Sequence, residues 1–261
     1  MYGKPPRLVD KAHQVKERCS RSNFFESKTV QIGEIDEQPY YDPWIGGDYA
    51  SRKRRLANGE LFSGANWFLH ILAESHYADP EEQNRDLTKQ VVCRWAFPGG
   101  PDAIFFNRAL QAVNEADYYS VDRSTWSDVA YSNYVQSPLN ASRIAPNAGQ
   151  WSEAAKCFVA QLAITQPRVL LVLGKRVWDR LTDSIGERVP PLHIMRTGRT
   201  VDDAWVYPVR TLNGVHFTVA VWAYHPSSGK FDGQAAHDRV IAADMAYDNL
   251  THAYRQEIDV F

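Results

Sequence analysis

Residues 169–173, Val-Leu-Leu-Val-Leu, are apolar without interruption and are closed by Gly174. A strand of that composition has no polar face to offer to water, so both of its faces must be covered. The segment before it, 151–165, repeats Trp151, Ala155, Phe158 and Leu162 at helical spacing and stops ahead of Pro167. Helix followed by doubly buried strand is the unit of a parallel sheet with helices on both faces. The expected fold is therefore α/β, a single three-layer αβα domain around a mainly parallel sheet.

The rest of the chain is read in the same way. Residues 43–47, Pro-Trp-Ile-Gly-Gly, are expected to form a short buried strand stopped by glycines. Leu61, Ala65, Phe68, Leu69 and Leu72 fit a helix over 61–76. Residues 77–103, with acids, Pro80, Pro98, Gly99 and Gly100, read as a loop or insertion. Helices are expected at 104–113, 175–182 and 234–256, strands at 128–135, 205–210 and 215–222, and a polar loop at 136–150. A basic segment, 1–28, carries Lys4, Arg7, Lys11, Lys16, Arg18 and Arg21, with Leu8, Ala12 and Val15 on one side of a helix over 7–19. The domain itself is expected to occupy 29–261.

Composition excludes several classes. With 44% hydrophobic and 23% charged residues the chain is not disordered throughout. It holds no run of eighteen apolar residues, and its first 22 residues lack the apolar centre of a secretory signal, so no membrane partner is expected. Cys19, Cys93 and Cys157 are far apart and form no CxxC pair, which fits free thiols in the cytoplasm. No HxxxH pair occurs, and His70 and His76 read as structural or surface residues on one helix, so no metal or other cofactor is expected. GxxxxGK[ST], GxGxxG and GxSxG are all missing, which excludes P-loop, dinucleotide-binding and serine-elbow chemistry. A net charge of −2 excludes a uniformly basic DNA-coating protein but not a local basic patch. The densest basic run is Arg52-Lys53-Arg54-Arg55.

In open α/β sheets ligands bind beyond the carboxyl ends of the strands. The residues expected there are Gly46-Gly47-Asp48-Tyr49, Asn133-Tyr134, Gly174-Lys175 and His225-Pro226-Ser227-Ser228. Asp48 is suited to orient or activate a water. Asn133 offers a donor and an acceptor to the edge of an amide-like heterocycle. His225 is suited to stabilise an oxyanion, and Ser227 and Ser228 to contact phosphate.

Taken in order, these blocks resemble the uracil-DNA glycosylase superfamily. They are Gly46-Gly47-Asp48-Tyr49, then Gly59-Glu60-Leu61-Phe62-Ser63-Gly64, then Tyr131-Ser132-Asn133-Tyr134-Val135, then Leu170-Leu171-Val172-Leu173-Gly174-Lys175, then Tyr224-His225-Pro226-Ser227-Ser228. The likeness runs from about 42 to 235, and the last two blocks match best. It implies a monofunctional enzyme that flips a pyrimidine out of DNA and hydrolyses its N-glycosidic bond, leaving an abasic site. Asp48 then matches the water-positioning Asp, Phe62 the aromatic on which the base stacks, Asn133 the residue that reads the base edge, and His225 the residue that stabilises charge on O2. Phe105-Phe106-Asn107-Arg108 is a weaker alternative for the stacking block. The segment Ser228-Gly229-Lys230-Phe231 stands where the family fills the space left by the base. Arg52–Arg55, Ser227, Ser228 and Lys230 are expected to contact DNA, the expected partner; no obligatory protein partner is evident.

The family's first motif often continues Asp-Pro-Tyr, with the Tyr excluding a C5 methyl group. Here the proline is missing and Tyr49 follows Asp48 directly, which implies an opened C5 side. The favoured substrate is thus a C5-modified cytosine, such as the glucosylated hydroxymethylcytosine of phage genomes, excised in defence. The alternatives are uracil excised in repair, a non-catalytic nucleic-acid-binding module of the same fold, and a hydrolase of free nucleosides or nucleotides.

Overall fold

The structure is a computed structural model. It describes residues 33–35, 37–59, 68–77, 84–97, 103–114, 122–139, 141, 144–181 and 186–258, with side chains as far as 252. The basic segment 1–28, its expected helix, and Phe62 with its glycine block lie outside these residues.

Seven strands form one sheet in the order β1 (Trp44–Ile45), β3 (Ala130–Asn133), β2 (Leu69–Ala73), β4 (Val169–Leu173), β9 (Gly214–Ala223), β8 (Trp205–Thr211) and β5 (Glu187–Arg188). The four central strands, β3, β2, β4 and β9, are mutually parallel. β1, β8 and β5 are antiparallel to their neighbours. A two-stranded hairpin, β6 (Leu192–His193) with β7 (Thr200–Val201), stands apart. Among the described residues six α-helices accompany the strands: α1 (Gly47–Ala57), α2 (Leu87–Val91), α3 (Ile104–Asn114), α4 (Ala148–Thr165), α5 (Lys175–Trp178) and α6 (Gly233–Ile258).

The reading of 169–173 holds: every residue of β4 is buried between two parallel neighbours. α4 starts at a capping box in which Asn147 and Gln150 each accept the other's backbone N–H at 2.9 Å. Its Trp151, Phe158 and Leu162 pack on Leu72, Leu170, Val172 and Ala220, the side chains on one face of the sheet. α3 and α6 pack together and α6 covers β9 and β4 from the other face. Arg168, just before β4, anchors α6 through Asp244 and Asp248.

The helix expected over 61–76 is corrected. Residues 69–73 are strand β2, buried along its whole length between β3 and β4. A strand buried on both faces shows no alternation, so the helical spacing of its leucines was misleading. His70 and His76 are thus not on a helix. His70 lies inside β2 and His76 just beyond it, both buried. Part of the expected 77–103 insertion is helical: α2 continues as a π-helical turn, Val92–Ala96, and buries Leu87, Val92 and Ala96. The 175–182 helix shrinks to the four residues of α5.

Candidate active site

The register fixes two opposite edges. Ala73 pairs with Asn133, and Leu173 with Ala223, so the carboxyl ends of β2, β3, β4 and β9 lie together. Glu74, Tyr134, Gly174 and the Tyr224-His225 pair emerge there. β1 runs the other way: Trp44 pairs with Tyr131 and Ile45 with Ala130, so the chain leaves β1 at the amino edge.

That direction corrects the placement of the first block. Gly46 donates to the carbonyl of Val129, ahead of β3, at 3.1 Å. A Cβ on Gly46 would lie 2.2 Å from the Ser127 carbonyl oxygen, so its glycine answers a packing need, not a ligand. Gly47 and Asp48 are exposed in the first turn of α1, where a carboxylate complements the helix dipole. Tyr49 is fully buried in the core, its hydroxyl donating to the Thr165 carbonyl at 2.9 Å and its ring against Phe68. The basic run follows it to this edge. Arg52 pairs with Asp128 at 2.8 Å, and Lys53 donates to Thr165 and Gln166 while burial lowers its pKa to about 8. Arg54 bonds Ser51 in its own helix, and Arg55 is exposed. The structure therefore does not bring Gly46, Gly47, Asp48, Tyr49 or residues 52–55 to the edge that holds Asn133 and His225.

At the carboxyl edge a different carboxylate takes the place expected of Asp48. Glu74 follows β2 directly and its side chain is 11% exposed. Arg176 in α5 grips both of its oxygens, Nε to Oε2 at 2.6 Å and Nη2 to Oε1. Glu74 and Arg176 both act on the charge of His225. His225 itself is oriented by the turn after it. The Ser227 N–H donates to its Nδ1 at 3.1 Å and the Ser228 N–H to its carbonyl at 2.8 Å. Those backbone groups, expected to face phosphate, are spent within the turn; the hydroxyl of Ser228 accepts from Lys230 N. An Nδ1 that accepts leaves the proton on Nε2. Burial holds His225 below the usual imidazole range, Glu74 pulls it up and Arg176 pushes it down. The ring is thus a neutral Nε2–H donor at neutral pH.

Aromatic rings close the site. Phe105 of α3 lies 5.2 Å from the His225 ring and 6.5 Å from Tyr131. Asn133 is 2% exposed, and its Nδ2 has no hydrogen-bond partner among the described residues. Among the described residues its Oδ1 has one long contact, 3.5 Å, from the Tyr131 hydroxyl. Five buried side-chain polar atoms lack a partner among the described residues, and Tyr41 OH, Ser75 Oγ and Asn133 Nδ2 all belong to this edge. Unsatisfied buried donors mark a place that needs a ligand or water. Three basic residues rim it: Arg108 donates to the Pro226 carbonyl at 2.7 Å, half-exposed Lys175 pairs with Asp179 at 2.5 Å, and Lys230 lies over the Tyr224 ring. Among the described residues no group of histidine, cysteine and carboxylate side chains is placed to hold a metal ion, and no helix is long and apolar enough to cross a membrane.

No known protein-family model and no curated protein sequence matches this chain. Sequence reasoning missed Glu74 because β2 was read as helix; the signal was present, since Leu69–Ala73 followed by Glu74 mirrors Val169–Leu173 followed by Gly174.

Proposed function

We propose that this crevice hydrolyses the N-glycosidic bond of a pyrimidine extruded from DNA and leaves an abasic site. The supporting observation is the meeting, at one sheet edge, of a neutral histidine donor, a buried carboxylate and an asparagine amide with a hydrogen to give. Cleavage puts negative charge on the departing base and positive charge on the sugar. His225 Nε2–H stabilises the base anion, as an oxyanion donor does. Glu74 stabilises the sugar cation and holds the attacking water on the lone pairs that Arg176 leaves open. Water oxygen bonds to C1′ as the bond to the base nitrogen breaks, and the water proton neutralises the base. Asn133 reads the base edge, and Phe105 supplies the stacking face. Lys175, Lys230 and the Ser227 hydroxyl take the flanking phosphates.

Base identity no longer turns on Tyr49, which is part of the core. With Oδ1 toward Tyr131, Asn133 presents an N–H, which suits the 4-keto edge of uracil and a repair role. A C5-substituted cytosine of phage DNA, and a defence role, requires the amide to turn its oxygen to the 4-amino group. The test is base release from two DNAs, one with uracil and one with glucosylated hydroxymethylcytosine, followed by alkaline cleavage of abasic sites. Release from either supports the reading and names the base. Release from neither, with the protein folded, overturns it.

A further inference from the structure

The last peptide of β3 is held by two buried side-chain amides. The Asn133 backbone carbonyl accepts from Gln136 Nε2 at 2.7 Å and from Gln161 Nε2 at 3.2 Å. Gln161 belongs to α4, on the opposite face of the sheet, and is fully buried. Its Oε1 meets Ser132 Oγ at 2.7 Å, Ser132 Oγ meets His70 Nε2 at 2.8 Å, and His70 Nδ1 meets Thr165 Oγ1 at 3.0 Å.

Counting hydrogens gives this chain one direction. A carbonyl cannot donate, so Gln161 must turn its amide nitrogen to Asn133 and its oxygen to Ser132. Ser132 has one hydrogen, and it goes to Gln161. Ser132 must then accept from His70, which places the ring proton on Nε2. Burial lowers the His70 pKa to about 3, so the ring is neutral and Nδ1 is bare. Thr165 therefore gives its hydrogen to His70 and not to the Gln161 carbonyl, 2.8 Å away. The relay runs Thr165 to His70 to Ser132 to Gln161 to Asn133, with every member buried.

We infer that Gln161 is a positioning residue: through the Asn133 carbonyl it fixes the peptide that aims the Asn133 amide at the base. This rests on the glycosylase reading for what Asn133 touches, but not for the relay. Packing alone does not require such a chain, because an apolar cluster of equal volume would fill the space beneath α4 with no polar group to satisfy. Its consequence is a donor fixed before ligand arrives, which lowers the ordering cost of binding.

Two measurements on the whole protein test this. In base release, Gln161→Met is expected to raise KM about tenfold with kcat within about twofold, the mark of lost uniform binding. Gln161→Glu is expected to keep a near-normal KM at pH 5, where a protonated carboxyl donates to Asn133 as the amide did, and to lose it as the carboxyl ionises. A merely structural role has no such acid rescue. Side-chain amide NMR of Asn133 reads the same point without catalysis: one sharp pair in the wild type, broadened in Gln161→Met. Should that variant fail to fold, Ser132→Ala breaks the relay one step earlier by removing one oxygen. Unchanged Asn133 resonances with unchanged KM overturn the inference. Broadened resonances in a protein that releases no base keep the relay and overturn the glycosylase reading instead.

Discussion

The sharpest consequence of the topology concerns two carboxylates, Asp48 and Glu74. Consider Asp48→Asn and Glu74→Gln, each removing one charge and no volume. The five residues of β2 separate the amino edge from the carboxyl edge. At about 3.3 Å per residue that is roughly 16 Å. A unit charge at that distance acts with about 1 kcal/mol at an effective dielectric of about 20. Screening over a Debye length of about 8 Å cuts this to about 0.1 kcal/mol, or about 1.2-fold in rate. Glu74, one water away from a sugar cation at about 5 Å, acts with about 3 kcal/mol. The Arg176 guanidinium offsets roughly half, leaving about 1.5 kcal/mol, or about tenfold in rate. The assay is single-turnover base release on the responsive DNA, with thermal unfolding of each variant as a check on the fold. Asp48→Asn is expected to match wild type and Glu74→Gln to lose tenfold or more. The reverse order would refute the assignment of the site to the carboxyl edge.

Other expectations follow from single residues. Gly46→Ala should lose several kcal/mol, because its Cβ meets backbone at 2.2 Å, whereas Gly47→Ala meets nothing and should be neutral or slightly stabilising at a helix start; urea unfolding of both measures the difference. Phe105→Ala should weaken substrate binding by about 1–3 kcal/mol, roughly 5- to 150-fold in KM, if the base stacks there, and an unchanged KM would remove Phe105 from the site. His70 and His76 have pKa values lowered by burial to about 3 and about 4, from 6.5. The unfolded chain binds more protons below 6.5, so stability is full above that pH and falls as pH drops toward 4. Each contributes about 2 kcal/mol of loss at pH 5. Urea midpoints at pH 7 and pH 5 measure the fall, which His76→Gln should make shallower.

The sequence made β4, α3, α4, the β8–β9 hairpin and α6 legible, because each pairs an apolar pattern with a clear stop: Gly174 after β4, Pro167 after α4. It hid β2, since a strand covered on both faces carries no alternation and His70, satisfied in the fold by Ser132 and Thr165, interrupted its apolar run. Losing β2 lost Glu74. Asn133 and His225 were expected at the carboxyl edge, and lie there, because the strands that they end or follow were read correctly. Asp48 was misplaced for a different reason: local sequence shows that residues 44–45 form a strand, but strand direction is a property of the partner, and β1 pairs antiparallel with a strand 86 positions later. The hydroxyl and amide groups of Ser227 and Ser228 suggested phosphate contacts, but a tight turn consumes its own N–H groups first.

The outer flank of β8 bears on how copies of this chain behave when crowded. A strand at the margin of a sheet offers free N–H and C=O groups on which another chain can pair. Here that flank is occupied in pieces. β5 covers Trp205 and Val206, and Gly33 donates to the Pro208 carbonyl at 2.9 Å and accepts from Arg210 N at 3.0 Å. Pro208 lies between them, and the N–H it lacks would have pointed outward beside that carbonyl. The opposite margin is β1, only two residues long. Neither side presents a continuous ladder, so the sheet resists growth by strand addition, and clipping the chain between Gly33 and β1 is expected to make it aggregate.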